Sequence, residues 1–260
     1  MKRLTAAILA LVITLSLCAC GATGNTGAAS AGNKPKKIEN PVADTLDGIL
    51  EAIEDDYKTT VQAFRDSLDT INAVIGGDYK NYVKNRQMID DWYTQVETET
   101  AQLFQRTEEN CKQYFILMST QTEHTYKAMN RAADKVYDSV YDDVRDDFYD
   151  DVYDDLMDDL YDEYYDGVLE DAYDLVPYKE YSEQRSYFYQ AWSGAHSEIY
   201  RLLSEHGSRI YGMCSAIGTA IYKDDYDFAA VLKRYDAETT EKAQEDSQSN
   251  TVQAADPAKE

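Results

Sequence analysis

Apolar residues in the first third of the chain recur at steps of three and four, the spacing of one face of an α-helix. The positions are Leu46, Ile49, Ile53, Tyr57, Val61, Phe64, Leu68, Ile71 and Ile75. Pro41 suits a first helical position, with Asn40 as a cap, and Gly76-Gly77 supplies a stop and a turn. The pattern therefore predicts a helix over about 42–75.

Apolar residues near the end of the chain recur every seven residues, the period of a coiled-coil or bundle seam. One column of this seam comprises Trp192, Ile199, His206, Met213 and Ala220. The alternate column comprises Phe188, Ala195, Leu202 and Ala216, with Arg209 as the exception. We predict a helix over 182–222, in which His206 is a core histidine bonded to a neighbouring helix.

The region between these two helices contains few residues that break a helix. Residues 78–166 include neither proline nor glycine, the two common helix breakers. One straight helix over 78–175 would run roughly 150 Å, so we expect it to be kinked or broken near 113–134. Because no combination of residues typical of a tight turn is evident there, we favour a long kinked helix. The alternative is a fold-back near Asn130, which would give a four-helix bundle.

The fold class predicted from these patterns is all-α, because no segment shows the alternation of a β-strand. We expect an extended antiparallel helical bundle or coiled coil of three or four long helices, in a single domain over 41–237. Residues 20–40 are small and polar with three lysines, which is typical of a flexible, disordered tether. The polar stretch 238–260 is predicted to be a disordered tail.

Residues 134–175 repeat with a period of four. One column of the repeat is apolar: Val136, Val140, Val144, Phe148, Val152, Leu156, Leu160, Tyr164, Val168 and Ala172. The next column is rich in tyrosine and broken only at Arg145: Tyr137, Tyr141, Tyr149, Tyr153, Met157, Tyr161, Tyr165, Leu169 and Tyr173. In an α-helix four residues turn through about 400°, so the apolar column would drift about 40° per repeat. We therefore expect partners that wrap the segment, several helices that surround it, or a break.

Five aspartate pairs lie between these columns: Asp142 and Asp143, Asp146 and Asp147, Asp150 and Asp151, Asp154 and Asp155, Asp158 and Asp159. Like charges four residues apart on a helix repel each other, so counter-ions or a basic partner would relieve the repulsion. One hypothesis is weak, diffuse binding of Ca²⁺ or Mg²⁺, since hard cations prefer carboxylate oxygens. The alternative is a solvated acidic face, with the tyrosines and valines forming the core seam.

The first 19 residues have the pattern of a secretory signal peptide: Lys2 and Arg3 precede an uncharged apolar run over 4–17. This run is too short for a permanent membrane-spanning helix, which needs about 20 apolar residues.

The next residues, Leu17-Cys18-Ala19-Cys20-Gly21, resemble the lipobox of bacterial lipoproteins. This resemblance implies that the Cys20 thiol receives diacylglycerol and that a peptidase cuts between Ala19 and Cys20. It implies a protein anchored by covalent lipid to the extracytoplasmic face of a cell membrane. The resemblance covers only the first 21 residues and implies no fold for the body.

The net charge of the chain indicates which classes of binding partner are expected. Loss of Lys2 and Arg3 would leave 23 basic residues against 49 acidic ones, a net charge of −26. Nucleic acid is therefore excluded as an expected partner, because phosphate binding needs a basic face. Divalent cations, cationic peptides and basic proteins are favoured, and a helical seam also allows a homo-oligomer.

No catalytic motif was found: the chain has no G-x-S-x-G, P-loop, G-x-G-x-x-G or H-E-x-x-H sequence. Cys111 and Cys214 can form a disulfide or can be two half-buried thiols that fill space. We therefore expect no enzyme and no cofactor beyond weakly bound Ca²⁺ or Mg²⁺. The expected function is a non-catalytic scaffold, spacer or partner-binding helical rod. The alternative is an acidic surface module that binds divalent cations or cationic peptides through 134–175.

Overall fold

The structure, a computed structural model, describes residues 45–254 and the side chains of residues 45–241. This part of the chain is about 90% helical and has no strand, which confirms the all-α class. Its helices are α1 Leu46–Ile75, α2 Tyr79–Asn85, α3 Gln87–Gln121, α4 Tyr126–Val136, α5 Tyr178–Tyr222 and α6 Phe228–Ala254. Residues 137–171, between α4 and α5, form a helix of mixed type that we name the alternating segment. The predicted signal peptide, the tether and Cys20 lie outside the described residues.

The alternating segment switches repeatedly between π-helix and α-helix. The π-helical stretches are Tyr137–Val144, Tyr149–Leu156 and Asp162–Val168, and the α-helical stretches are Arg145–Phe148, Met157–Tyr161 and Leu169–Asp171. A π turn has i→i+5 hydrogen bonds and so contains more residues than an α turn. Alternation of the two brings the average close to about four residues per turn, which matches the four-residue period of the sequence.

The apolar column consequently stays on one face of the alternating segment. Its ten members, from Val136 to Ala172, are all buried, with exposed fractions of 0% to 8%. The expected drift of the column around the helix is wrong, because the expectation assumed the α-helical 3.6 residues per turn throughout. No partner needs to wrap the segment, since the backbone itself adapts to the repeat.

Helix α1 begins at Leu46, later than the predicted start at about 42, and the predicted cap at Asn40 lies outside the described residues. The Thr45 hydroxyl accepts a hydrogen bond from the Gly48 backbone N–H at 3.1 Å, the arrangement of an N-cap. At the other end Gly76 and Gly77 have φ values of 57° and 69°, left-handed conformations that glycine adopts without strain. The stop predicted at Gly76-Gly77 is confirmed.

The chain leaves the helical path at 122–125, inside the range 113–134 where a kink or break was expected, but the favoured continuous helix over 78–175 is wrong. Thr122 has an extended backbone, and the Thr125 hydroxyl caps α4 by accepting a hydrogen bond from the Ala128 N–H at 3.3 Å. His124 Nε2 lies 2.6 Å from the Ser119 carbonyl oxygen and closes the turn. A threonine cap can thus start a new helix without glycine or proline.

Contacts between side chains fix the directions of the long elements. Trp92 donates its indole N–H to the Phe64 carbonyl, and Arg106, later in α3, pairs with Asp56, earlier in α1, so the two helices run antiparallel. The alternating segment runs antiparallel to α5, because Tyr141 contacts Tyr211 and Tyr165, further along the chain, contacts Tyr189.

One aromatic layer joins all four long elements. The Phe148 ring of the alternating segment lies 6.4 Å from Tyr57 of α1 and 5.0 Å from Phe104 of α3, between ring centroids. Phe104 stacks in turn on His206 of α5, at 4.2 Å with an interplanar angle of 4°. The core therefore runs between these elements, and the predicted core position of His206 is confirmed by its 2% exposure.

Helix α6 extends through Ala254, so the predicted disordered tail from 238 is wrong over 238–254. The Thr239 and Thr240 hydroxyls donate to backbone carbonyls four residues earlier. The Lys112 ammonium pairs with Asp236 at 2.7 Å and attaches α6 to α3. This long-range contact offsets the weak helical preference of a polar sequence. None of the described helices is both long and apolar enough to cross a membrane.

Candidate functional site

The alternating segment presents four faces because each residue of the repeat lies about a quarter turn from the next. The apolar column faces the core, and the tyrosine column faces α5. Second aspartates of the pairs face α1 at two positions: Asp151 accepts hydrogen bonds from Tyr57 Oη and Arg65 Nη2, each at 2.5 Å, and Asp159 lines a groove beside α1. The first aspartates are exposed to solvent. This arrangement separates an aromatic surface from an acidic one.

The acidic surface contains all ten aspartates predicted as cation ligands. Nine are exposed, and Asp151 is half-buried. Partial desolvation raises the pKa of the Asp147 carboxyl, and the charges of Asp151 and Asp143 raise it further. Among the described residues no group of three or more His, Cys, Asp or Glu side chains could hold a metal ion. Diffuse cation binding along this surface stays a prediction.

A groove of about 720 Å³ lies between α1 and the second half of the alternating segment. Its acidic lining comprises Asp69, Asp159, Asp162, Glu163 and Asp171. Arg65 is the one basic residue that lines it, and its guanidinium already pairs with Asp151. The groove therefore has a strong negative potential, which favours cationic groups.

The aromatic surface consists of three tyrosine clusters along the contact between the alternating segment and α5. The first comprises Tyr137, Tyr141 and Tyr211; the central one comprises Tyr149, Tyr153 and Tyr200; the third comprises Tyr161, Tyr165 and Tyr189. In each cluster the two tyrosines of the alternating segment lie four residues apart, with ring centroids separated by 4.9 Å, 4.9 Å and 4.6 Å. The tyrosine of α5 then adds a ring at 6.0 Å, 5.6 Å and 6.1 Å, respectively.

The spacing of the clusters follows from helix geometry. Cluster pairs recur every twelve residues in the alternating segment, and their α5 partners recur every eleven. Twelve residues at about four per turn and eleven residues at 3.6 per turn both make about three turns. The two elements therefore stay in register over the length of the surface. Both periods, twelve and eleven residues, are present in the sequence. Their correspondence becomes evident only when the two elements are compared in the structure, because the four-residue repeat dominates the pattern of the alternating segment.

The α5 tyrosines remain largely open to solvent. Tyr189, Tyr200 and Tyr211 are 48%, 54% and 55% exposed, and Tyr222, eleven residues further on, is 79% exposed. A tyrosine row of this kind is a strip of apolar area with hydroxyl groups at its edge. Such side chains are enriched in protein interfaces.

Two of the clusters contain an arginine of the chain itself. The Arg145 guanidinium lies 4.8 Å above the Tyr141 ring in the first cluster. The Arg185 guanidinium lies 3.9 Å above the Tyr165 ring in the third, where it also pairs with Glu170. Guanidinium groups are attracted to the negative face of an aromatic ring.

The predicted cysteine pair is free of any disulfide in the structure. Cys111 is buried and Cys214 is half-buried. Burial raises the pKa of the Cys111 thiol, with a smaller contribution from nearby Cys214, and burial raises the pKa of Cys214 to about 12. Both thiols are therefore protonated and weakly nucleophilic at neutral pH, and a disulfide between them stays a prediction.

His206 is one of four polar residues that are buried in the described core. Its Nδ1 atom has no hydrogen-bond partner and lies 3.6 Å from Glu108 Oε1. Burial lowers the pKa of the imidazole, although the Glu108 carboxylate opposes that shift. The residue is consequently neutral at pH 7 and stacks as a flat ring on Phe104.

Comparison with models of protein families, with curated proteins and with solved structures finds no match for this chain, so the function is inferred from its own geometry.

Proposed function

We propose that this chain is a non-catalytic, partner-binding lipoprotein, held by lipid on Cys20 to the extracytoplasmic face of a cell membrane. Its body is an extended antiparallel helical bundle whose long elements are α1, α3, the alternating segment and α5. The aromatic layer of Tyr57, Phe104, Phe148 and His206 supports this arrangement, because each long element contributes one ring. The tyrosine strip on α5 is the surface that contacts the partner.

The observation that carries this proposal is the exposure and regularity of the tyrosine strip. From Tyr189 to Tyr222 it extends over about 50 Å at 1.5 Å per residue, with tyrosines at eleven-residue steps. Aromatic side chains that recur on one exposed helix face, beside the half-buried tyrosines of the alternating segment, are typical of an interaction surface. Tyrosine gives large contact area at low entropic cost, because only two side-chain torsions become fixed.

The proposal is tested in intact cells with a photoreactive phenylalanine analogue in place of Tyr200. We expect a discrete crosslinked species at this position. The matched control is the same analogue at Tyr126, which is 57% exposed but belongs to none of the clusters. Crosslinking of equal strength at both positions, or at neither, would contradict a partner-binding strip.

Palmitate labelling of the same cells tests the lipid anchor. The Cys20→Ala variant should lose the label, and the Cys18→Ala variant should keep it.

A second candidate function is favoured by the acidic groove: the surface of residues 134–175 attracts cations. Five acidic side chains line the groove, and Arg65 is neutralised by Asp151. Divalent cations at extracellular concentrations would reduce the repulsion that raises the pKa of Asp147. This function is compatible with the first, because the acidic and aromatic faces are separate.

Millimolar Ca²⁺ is expected to stabilise the protein if the acidic surface binds it. A concentration five times the dissociation constant contributes about 1 kcal/mol, which raises Tm by roughly 2–4 °C for a chain of this size. The measurement is a thermal melt followed by circular dichroism, with NaCl at matched ionic strength as the control. Equal melting temperatures in Ca²⁺ and NaCl would eliminate binding beyond general screening.

A further inference from the structure

The exposed face of α5 carries a repeat of eleven residues that includes more than tyrosine. Serine lies four and eight residues after each tyrosine of the row, with threonine in its place only at Thr219. The tyrosines that define the repeat are Tyr178, Tyr189, Tyr200, Tyr211 and Tyr222. We name these tyrosines, with the serines and the threonine between them, the Tyr-Ser face, and none of its members is buried.

We propose that the Tyr-Ser face binds the same face of a second copy of this chain, with the two α5 helices antiparallel. This inference rests on the proposed partner-binding function and names the partner. The resulting contact would be isologous, since each copy uses the same surface.

Helix geometry keeps the members of the Tyr-Ser face in line. Residues four and eight positions after a tyrosine lie about 40° and 80° around the helix from it, and eleven residues make about three full turns. The face is therefore a narrow strip that follows α5 from Tyr178 to Tyr222, over about 66 Å. An eleven-residue repeat is also the period with which helices wind around each other in a right-handed sense.

The absence of charge favours a second copy as the occupant. The chain has a net charge of −24, but the Tyr-Ser face contains no charged residue. Two anionic copies repel each other least where both present uncharged surface. Ser197 and Ser208 donate their hydroxyls to the backbone carbonyls of Ser193 and Ser204, at 2.7 Å and 2.9 Å. These donors need no water, so the face loses little when it becomes buried. A basic polypeptide would need carboxylates, which this face lacks.

The face is complementary in shape to itself, because each repeat has one large side chain and two small ones. We place the two-fold axis at the level of Leu203. Tyr200, three residues before this level, then lies opposite the point midway between Ser204 and Ser208 of the second copy. Tyr189, Tyr211 and Tyr222 meet the corresponding small pairs in the same way. Large side chains thus enter the gaps over small ones, as in the packing of helix ridges into grooves.

Charges along one edge of the face select this register and the antiparallel direction. Arg201 and Glu205 lie two residues before and two after the level of Leu203, so each Arg201 is beside Glu205 of the second copy. Glu183 and Lys223, twenty residues before and after, match in the same way. Arg201 pairs with Glu205 of its own chain, but the two side chains are still 49% and 55% exposed. Opposite charges across an interface fix its orientation and register.

Gly194 on the same edge provides an independent observation. Glycine inside a helix is destabilising relative to alanine, yet a Cβ at Gly194 would meet no atom of its own chain within 4 Å. In the proposed register it lies opposite Gly212 of the second copy, since the two are nine residues before and after Leu203. Close approach of two helix backbones explains a glycine that the single chain does not require.

The first test is sedimentation equilibrium of the mature chain with Cys20→Ala, which removes the lipid. We expect a reversible dimer. Ser204→Glu should weaken it at least about tenfold, because it places two carboxylates within one residue of the axis. Gln102→Glu adds the same charge at an exposed position of α3 and should change the dimer affinity less than about twofold. Circular dichroism of both variants checks that the helices are intact.

The second test determines direction with a short bis-maleimide crosslinker, and the parent chain gives the background from its own thiols. In the antiparallel register the two copies of residue 204 are about 3 Å apart along the axis, whereas those of residue 193 are about 30 Å apart. Ser204→Cys should therefore give a crosslinked dimer, and Ser193→Cys should not. A parallel dimer would crosslink both variants, because each residue would face its own copy.

Three outcomes would overturn this inference. A monomer throughout the sedimentation series would exclude the second copy, and equal crosslinking at 193 and 204 would exclude the antiparallel arrangement. Equal weakening by Ser204→Glu and Gln102→Glu would exclude the Tyr-Ser face as the contact. In cells, a monomeric chain that crosslinks from position 200 to another protein would refute only the second copy. The lack of any crosslink from position 200 would contradict the partner-binding function itself.

Discussion

Replacement of Phe148 by alanine is expected to lower the free energy of unfolding by about 3–5 kcal/mol. The Phe148 side chain is fully buried and contacts rings of α1 and α3. Its removal leaves a cavity where the aromatic layer meets, and neighbouring helices cannot close that cavity without moving their backbones. The measurement is urea denaturation followed by circular dichroism.

The matched control for this prediction is Asp150→Ala, two residues along the same segment. Asp150 is exposed and belongs to the solvent face of the repeat, so its replacement should change the free energy of unfolding by less than about 0.5 kcal/mol. Similar losses for the two variants would contradict the four-face arrangement of the alternating segment. An unchanged stability of Phe148→Ala would show that the apolar column does not face the core.

Replacement of Trp92 by alanine is expected to have an effect of the same size, about 3–5 kcal/mol. Trp92 is 1% exposed and its indole N–H donates to the Phe64 carbonyl of α1 at 3.2 Å. The variant loses the largest buried side chain at the α1–α3 contact. Denaturation monitored by circular dichroism gives the loss directly.

Trp192 provides the control within the same chain. It also donates its indole N–H across elements, to the Met157 carbonyl at 3.0 Å, but it is only half-buried. Because part of its ring is already in water, Trp192→Ala should cost roughly half as much as Trp92→Ala. A larger loss for Trp192→Ala would place the main core between the alternating segment and α5 instead of between α1 and α3.

The stability predictions bear on function through the shape of the tyrosine surface. The clusters are in register only while the apolar column holds the alternating segment against its neighbours. A loosened column would let the π stretches return to α-helical geometry, and the twelve-residue repeat would no longer match eleven residues of α5. The proposed binding at the strip should therefore depend on the core, although the core contains none of the proposed contact residues.

The sequence determined the all-α class and the stop of α1, because three- and four-residue periodicity and a glycine pair are local signals. It also showed the four-residue repeat of 134–175, whose aspartates were predicted as cation ligands. It did not determine how a period of four is accommodated, since α-helical geometry was assumed and the alternative of repeated π turns is rare. A kink or break near 113–134 was expected, but a complete turn at 122–125 was not favoured, because threonine caps compete weakly with helix in an isolated peptide.

Only the tertiary structure decided which side chains together form the exposed aromatic surface. The tyrosine column and the α5 tyrosines belong to separate segments of the chain, and each alone is an ordinary half-buried seam. Their packing side by side makes three clusters, places Arg145 and Arg185 in two of them, and places the His196 ring beside Tyr153 in the central one. Helical periodicity depends on neighbours in sequence, whereas an interaction surface depends on which helices become neighbours in space. Helical periodicity can be obtained from residue spacing, whereas the aromatic surface could be identified only from the packing of the helices.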